Sequence, residues 1–527
     1  MNLEDHKRLV SSLYQGLAER LPDAQLIETH ISSVLLAGDR AYKIKKPLNL
    51  GFLDFSTLAL RRHFCEEEIR LNGRLEPDIY LDVVPITGDL TSPALDGPGD
   101  VIEYAVQMRR FAQDGLLSEH PQRLTPPLLQ QIARRLAVFH DAVARCGDDQ
   151  PYGSPERVLR PMLENFKQIR ALQKAPEVMA RLDYLEAWTR SRFQALESCI
   201  AGRRQEGHVR ECHGDLHLGN MAAEGGRLII FDGIEFNPNL RWIDTISELA
   251  FLLMDLDEKG HSAAGWRLLD DYLQITGDYP GLRLLRFYQC YRAMVRAKVE
   301  AIRLQQEGSG SGPGSQFSAY LRQAEAYTRP PHPGLLITHG FSGSGKSTVS
   351  QQLLMDLPAI RLRSDVERKR LAGMQARQQS GAAAGAGIYS AEFSRLTYAR
   401  LRDLAEVLLQ AGFTVIVDAT FLNTDQRLPF RQLAEQLGAP FLILDLQVPE
   451  AELRRRVALR THQGSDVSEA DLKILERQLA AAVPLAEEER RAVWAITPSR
   501  PLDSAALREF LDGKKGVRPH FPYDMEE

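Results

Sequence analysis

Eight consecutive residues, Gly340-Phe341-Ser342-Gly343-Ser344-Gly345-Lys346-Ser347, satisfy the pattern G-x-x-x-x-G-K-[ST]. An apolar run, LLITHG, leads into them and a helical pattern follows. In that setting glycines let backbone N–H groups turn inward around phosphate oxygens, and the helix N-terminus adds partial positive charge. Lys346 is the side chain for the β- and γ-phosphates and Ser347 the hydroxyl for Mg²⁺. Gly340, Ser342, Gly343, Ser344, Gly345, Lys346, Ser347 and Thr348 are therefore candidate nucleotide-binding residues. No guanine-reading N-K-x-D motif occurs, so ATP is the expected donor.

A second constellation lies upstream. His213-Gly214-Asp215-Leu216-His217-Leu218-Gly219-Asn220 reads H-G-D-x-x-x-x-N between two strand-type runs, the second ending in Phe231-Asp232-Gly233. The Asp-to-Asn spacing of five is that of the protein-kinase catalytic loop. This region resembles aminoglycoside phosphotransferases, choline kinases and related small-molecule kinases. The resemblance implies that Asp215 orients and deprotonates an acceptor hydroxyl, that Asn220 and Asp232 hold Mg²⁺ on the triphosphate, and that His213 braces the loop. It makes Glu235 a weaker candidate metal ligand and gives Asp244 a role in anchoring the loop. It also calls for a phosphate-gripping lysine paired with a helix glutamate. Lys43 and Lys45, in RAYKIKK, share one strand face because side chains alternate. Lys43 fits the pattern better, with Lys45 the alternate. Glu68 is the preferred partner, with Glu67 open. Residues 103–108 (EYAVQM), ending at Met108, stand where a hinge would meet adenine. The family's Gly-rich loop is missing; THISS takes its place.

Beyond the Gly/Lys motif the chain resembles small P-loop kinases: polynucleotide kinase, gluconate kinase and zeta-type toxins. By that resemblance Asp365 is the general base and Arg368 a substrate clamp, while helix capping by Ser364 and Asp365 is the plainer alternative. Asp418, closing the apolar run VIVDAT, is either a Mg²⁺ ligand or a polar strand end. Arg454-Arg455-Arg456 and Arg460 fall where such kinases carry a lid; only Arg456 and Arg460, at i and i+4, share a face.

These residues need elements to position them. Residues 1–306 read as a helix, short strand-type runs, a charged helix and then a long helical stretch. That is an α+β protein-kinase-like domain with a small β-rich lobe before a large helical one. Residues 307–334 read as a linker: GSGSGPGS, a short helical pattern and RPPHPG. Residues 335–512 alternate strand and helix, an α/β P-loop NTPase domain with a parallel sheet. Residues 513–527 form a polar tail.

Composition bounds the function. The chain has 527 residues, 44% of them hydrophobic and 26% charged, which excludes global disorder and a disulfide scaffold. The net charge of −5 disfavours long nucleic acid as a partner. Five scattered cysteines without a C-x-x-C pair fit reduced thiols. The N-terminus lacks a signal-peptide core, and residues 249–254, the most apolar run, are too short to span a bilayer. A cytoplasmic protein without membrane contact is expected. The favoured function is an ATP- and Mg²⁺-dependent phosphotransferase with two kinase-type sites, acting on hydroxyl-bearing small molecules or, in the second domain, a nucleotide or polynucleotide end. The alternatives are one active kinase with a nucleotide-binding regulatory domain, or an ATPase switch.

Overall fold

The computed structural model describes residues 1–306, 314–329, 333–376, 387–463, 471–497 and 502–513, except residue 52, together with 378 and 380. The side chains of 460–463 and the tail from 514 lie outside the described residues, as do 307–313 and 330–332 of the linker. The chain forms two compact units. Unit 1 holds Met1–Asp255 and Tyr291–Phe317; unit 2 holds Leu256–Cys290 and the chain from Ser318 onward.

Unit 1 opens with the helix Leu3–Ala18. Asn2 caps it by accepting from the Asp5 amide at 2.9 Å, and Leu9, Val10 and Leu13 recur at helical spacing on its buried face. They pack on an antiparallel sheet of β1 (Gln25–Glu28), β2 (Ser32–Ala37), β3 (Arg40–Lys45), β4 (Tyr80–Gly88), β5 (Pro93–Leu95) and β6 (Val101–Arg109), in the order β1-β2-β3-β6-β4-β5. The helix Leu58–Asn72, capped by Thr57, crosses between β3 and β4 and carries Glu68. Helices Pro126–Ala142, Pro155–Leu172 and Pro176–Gln205 follow, each opened by a proline whose missing N–H costs a helix start nothing. Then come β7 (Val209–Glu211), β8 (Met221–Glu224), β9 (Arg227–Ile230) and β10 (Trp242–Asp244). The β8–β9 hairpin turns through Gly225 and Gly226, both at positive φ, as a tight two-residue turn requires. This hairpin separates the 212–220 loop from Asp232 in sequence and returns the two to one place. The expected order, a β-rich lobe before a helical one, is what the structure has.

Unit 2 is built on a five-stranded, wholly parallel sheet: β11 (Leu335–His339), β12 (Ala359–Arg363), β13 (Thr414–Asp418), β14 (Phe441–Leu446) and β15 (Val493–Ile496), in the order β12-β13-β11-β14-β15. Four of the strands are largely apolar runs, because helices cover both faces, whereas β12 carries Arg361 and Arg363. Leu353 and Leu354 of helix Lys346–Asp356 share one core with Trp494, Leu507 and Leu511. The 342–347 loop, Asp365 and Asp418 all follow the carboxyl ends of β11, β12 and β13, where open α/β sheets bind ligands. Helix Ser262–Thr276 belongs to this unit and packs on β12 and on helix Lys346–Asp356. Among the described residues no helix is long and apolar enough to cross a membrane.

Candidate active sites

In unit 1 the loop 212–220 is held from below. Gly214 has φ +89°, and a Cβ there would meet the Leu240 carbonyl at 2.8 Å, so only glycine fits. Its amide donates to Glu248 at 2.7 Å, and the other Glu248 oxygen bonds His140 Nε2 at 2.7 Å. Burial alone would raise the Glu248 carboxyl; His140, His213 and the Gly214 amide hold it below the usual range. Cys212 lies within 4.8 Å of both partners, but burial, then Glu248, push its thiol well up, and the trio acts as a brace. Asp255 accepts from the Leu218 amide at 2.9 Å. Asp244 is engaged elsewhere, in a buried pair with Arg203 at 2.7 Å, and the loop is tied down by Glu248 and Asp255.

His213 bridges to the Phe231 carbonyl at 2.9 Å and accepts from the Asp215 amide at 3.3 Å. Burial lowers its pKa. Asn220 donates to the Asp215 carboxylate at 3.1 Å, and His217 Nε2 lies 3.4 Å from it. Burial pushes the Asp215 carboxyl up, but His217, His213 and Arg296 outweigh it and hold it well below the usual carboxylate range. That leaves Asp215 an ionised acceptor able to orient a hydroxyl donor.

Asp232 has φ +64°, a left-handed conformation uncommon for aspartate, and is pinned by its amide to Tyr80 Oη at 3.0 Å. Of the two glutamates, Glu68 meets the lysines, and it meets both. One carboxylate oxygen takes Lys43 at 2.8 Å and the other takes Lys45 at 2.7 Å, while Glu67 pairs with Arg70 and Arg241. Lys43 also bonds Asp232, and Lys45 bonds Glu235. Burial works against both ammonium charges, yet the surrounding carboxylates keep them protonated. Asn220 and the half-exposed Asp232 offer the hard oxygen donors that suit Mg²⁺. Glu235 does not join them, being buried and committed to Lys45. Met108 is a core residue, paired across the sheet with both Ala41 and Tyr80.

In unit 2 a cavity of about 680 Å³ is lined by Lys346, Ser347, Asp365, Arg368, Asp418 and Arg456, among others. Gly340, Gly343 and Gly345 all have positive φ, and a Cβ on Gly343 would meet Val457 and the Leu453 carbonyl at 3.0 and 3.1 Å. Gly340, Ser342, Ser344 and Thr348 complete the loop and its first helical turn; Lys346 Nζ curls back onto the Gly340 and Phe341 carbonyls at 2.9 and 2.7 Å. Asp418 is buried, accepts from Ser350 Oγ at 3.2 Å and lies 3.6 Å from Arg363. Asp418 and Ser347 both line the cavity, and a carboxylate with a hydroxyl offers oxygen donors that suit Mg²⁺.

Asp365 sits in the first turn of helix Ser364–Leu371. The cap is Arg363, with no side-chain capping bond, so neither Ser364 nor Asp365 performs the capping alternative. Arg368 is only 8% exposed and bonds neutral partners alone, Ile388 O at 2.8 Å and Ser394 Oγ at 3.1 Å; its Nε has no partner. Among the four lid arginines, Arg454 pairs with Glu450 and Glu476, and Arg455 with Glu452. Arg456 reaches the cavity while holding Glu452 at 2.6 Å. The Arg460 side chain lies outside the described residues. Sequence reading missed Gln478, which accepts from the Ser342 amide at 2.9 Å, and Tyr398, Asn423 and Gln426 in the cavity wall. No motif marks them.

Comparison with known proteins bears on both halves. Residues 92–285 match the model of the phosphotransferase enzyme family, and residues 335–485 match an AAA domain model. The protein joins a phosphotransferase-family domain to a P-loop kinase domain. It is an enzyme of kinase type. Uncharacterized proteins of Mycobacterium tuberculosis and Mycobacterium bovis are 29% identical to it over 496 residues, 93% of this chain and 94% of theirs. Among solved structures, a choline/ethanolamine kinase family protein from Mesorhizobium loti is 13% identical, covering 61% of this chain and 96% of its own, with a TM-score of 0.40. The Mycobacterium tuberculosis APS kinase is 20% identical, covering 34% and 96%, with a TM-score of 0.24.

Proposed function

We propose that the protein is an ATP- and Mg²⁺-dependent phosphotransferase with two kinase-type sites, and that the acceptor of the unit 2 site is a small hydroxyl compound bearing a carboxylate or phosphate. One observation carries this reading. Asp365 and Arg368 face the same cavity as Lys346 and Ser347, and Arg368 is a buried cation with no anionic partner among the described residues. A buried charge left unpaired is costly, so an anionic group on the acceptor is its natural complement.

ATP supplies the γ-phosphoryl group and Mg²⁺ the charge that steadies it. In unit 2, Lys346 would hold phosphate oxygens, Ser347 and Asp418 the metal, and Arg368 the acceptor's anion. Asp365 takes the hydroxyl proton as the acceptor oxygen bonds to phosphorus and the bridging oxygen departs on ADP. In unit 1, Asp215 takes the proton, Asn220 and Asp232 hold the metal, and Lys43 with Glu68 grips the triphosphate.

The bond between Lys43 and Asp232 favours a second reading for unit 1, since that lysine sits on a carboxylate the metal needs. In that reading unit 1 binds nucleotide and regulates. The deciding experiment follows labelled γ-phosphate into a metabolite mixture, using wild type, Asp215→Ala and Lys346→Ala. Two labelled products, each lost in one variant, support two kinases. Loss of all transfer in Lys346→Ala, with Asp215→Ala unchanged, leaves the regulatory reading. ATP consumption without any labelled acceptor overturns both.

A further inference from the structure

Helix Ser262–Thr276 enters the P-loop unit with one buried carboxylate. Asp270 is 4% exposed and grips Arg361 of β12, also 4% exposed, at 2.6 Å (Nη2–Oδ2) and 3.3 Å (Nε–Oδ1). The remaining arm of that guanidinium, Nη1, reaches the Ser347 carbonyl at 3.1 Å and Ser350 Oγ at 3.4 Å. Ser350 Oγ in turn donates to Asp418. A continuous polar chain thus runs from Asp270 to both candidate metal-holding residues. The same helix steadies the acceptor side, because Arg370 on helix Ser364–Leu371 donates to the Gln274 carbonyl at 2.8 Å.

We infer that Asp270 is a positioning residue of the unit 2 site, which occupies Arg361 so that this cation does not claim the Asp418 carboxylate in place of Mg²⁺. The inference rests on the reading of this cavity as a metal–nucleotide site. Its physics is simple. Arg361 is a permanent charge with no route to water. Asp270 is its carboxylate partner, and Asp418 is near enough that its charge also acts on the guanidinium. Without Asp270, Arg361 swings its pairing toward Asp418, and a divalent cation must displace a buried guanidinium to bind. Residues behind metal ligands commonly set affinity by tenfold or more.

The test uses the full chain and a non-hydrolysable ATP analogue. Calorimetric titrations are run across Mg²⁺ concentrations, and the binding component abolished by Lys346→Ala is taken as the unit 2 site. In Asp270→Asn the Mg²⁺ concentration for half-maximal binding of that component is expected to rise about tenfold. The double variant Asp270→Leu/Arg361→Met removes the competing cation together with its partner and should return the half-point to within about threefold of wild type. A purely structural pair would instead lower the melting temperature and leave the Mg²⁺ half-point unmoved; that result in Asp270→Asn overturns the inference. So does a double variant as shifted as the single one. If Asp270→Asn does not fold, Arg361→Lys carries the same titration, since lysine keeps the charge but cannot span Asp270 and Ser347 at once. Were Lys346→Ala to bind the analogue as wild type does, the nucleotide reading of the cavity falls, and the relay with it. Loss of binding in Lys346→Ala with an unshifted Asp270→Asn sinks the relay alone.

Discussion

Lys45 and Glu235 are bonded to each other in the interior of unit 1, the lysine 1% and the glutamate 4% exposed. Lys45 is therefore part of a buried ion cluster. Its removal strands two buried carboxylates, Glu235 and half of Glu68. Lys45→Met is expected to destabilise unit 1 by about 3–5 kcal/mol, and Lys45→Met/Glu235→Leu to recover much of that. Lys43→Met leaves Glu68 held by Lys45 and frees a half-exposed Asp232, so stability should fall by only about 1–2 kcal/mol while unit 1 turnover is lost. Chemical denaturation and product-resolved kinetics on the same three variants separate the two lysines; equal stability losses would contradict the assignment.

Arg368 is predicted to act on acceptor binding and Asp365 on the chemical step. Arg368→Met should raise the acceptor KM of the unit 2 reaction roughly 10–100-fold. Asp365→Asn should cut kcat on the order of 10²–10⁴-fold, with nucleotide affinity kept. Steady-state kinetics in both substrates measures the split. A neutral or cationic acceptor that binds equally well to Arg368→Met would contradict the anionic-acceptor reading.

Glu248 holds the Gly214 amide and His140 beneath Asp215. Glu248→Gln keeps the shape and loses the charge. Unit 1 kcat should drop about tenfold with little change in nucleotide KM, because one charge-assisted hydrogen bond of about 1.5–3 kcal/mol is weakened at the loop. Unchanged kcat would show the loop to be set by its other anchors.

His6 gives unit 1 an acid sensitivity. It is buried against Ser33, its Nδ1 has no partner, and burial lowers its pKa from 6.5 to about 4. The unfolded state therefore takes up a proton that the folded state refuses. The contribution is whole above pH 6.5, falls as pH drops toward about 4, and changes no further below that, amounting to about 3 kcal/mol at most. Denaturation of wild type and His6→Gln at several pH values should show a slope between pH 4 and 6.5 in wild type that the variant lacks.

Both motif loops, and the strand–helix alternation around the second, were legible because short-range pattern carried them. The Gly/Lys loop needs glycines where φ is positive, and Gly340, Gly343 and Gly345 are there. The 212–220 loop needs Asp215 and Asn220 at fixed spacing, and they meet in space. What stayed hidden depends on contacts distant in sequence. Nothing in AIRLR marks Arg361 as the partner of Asp270, 91 residues earlier. Glu248 looks like any helix glutamate until Gly214 is folded over it. Lys43 and Lys45 could not be separated by spacing, since both face Glu68; only Asp232 and Glu235 tell them apart.

The backbone passes from unit 1 to unit 2 after Asp255, returns at Tyr291, and crosses again after Phe317. A gene split at the Gly/Ser stretch would thus produce two incomplete polypeptides, one with a helix that has no sheet to cover and the other with Arg361 stripped of its counter-charge. Recombination cannot exchange either half cleanly, and the two units are locked into a single reading frame.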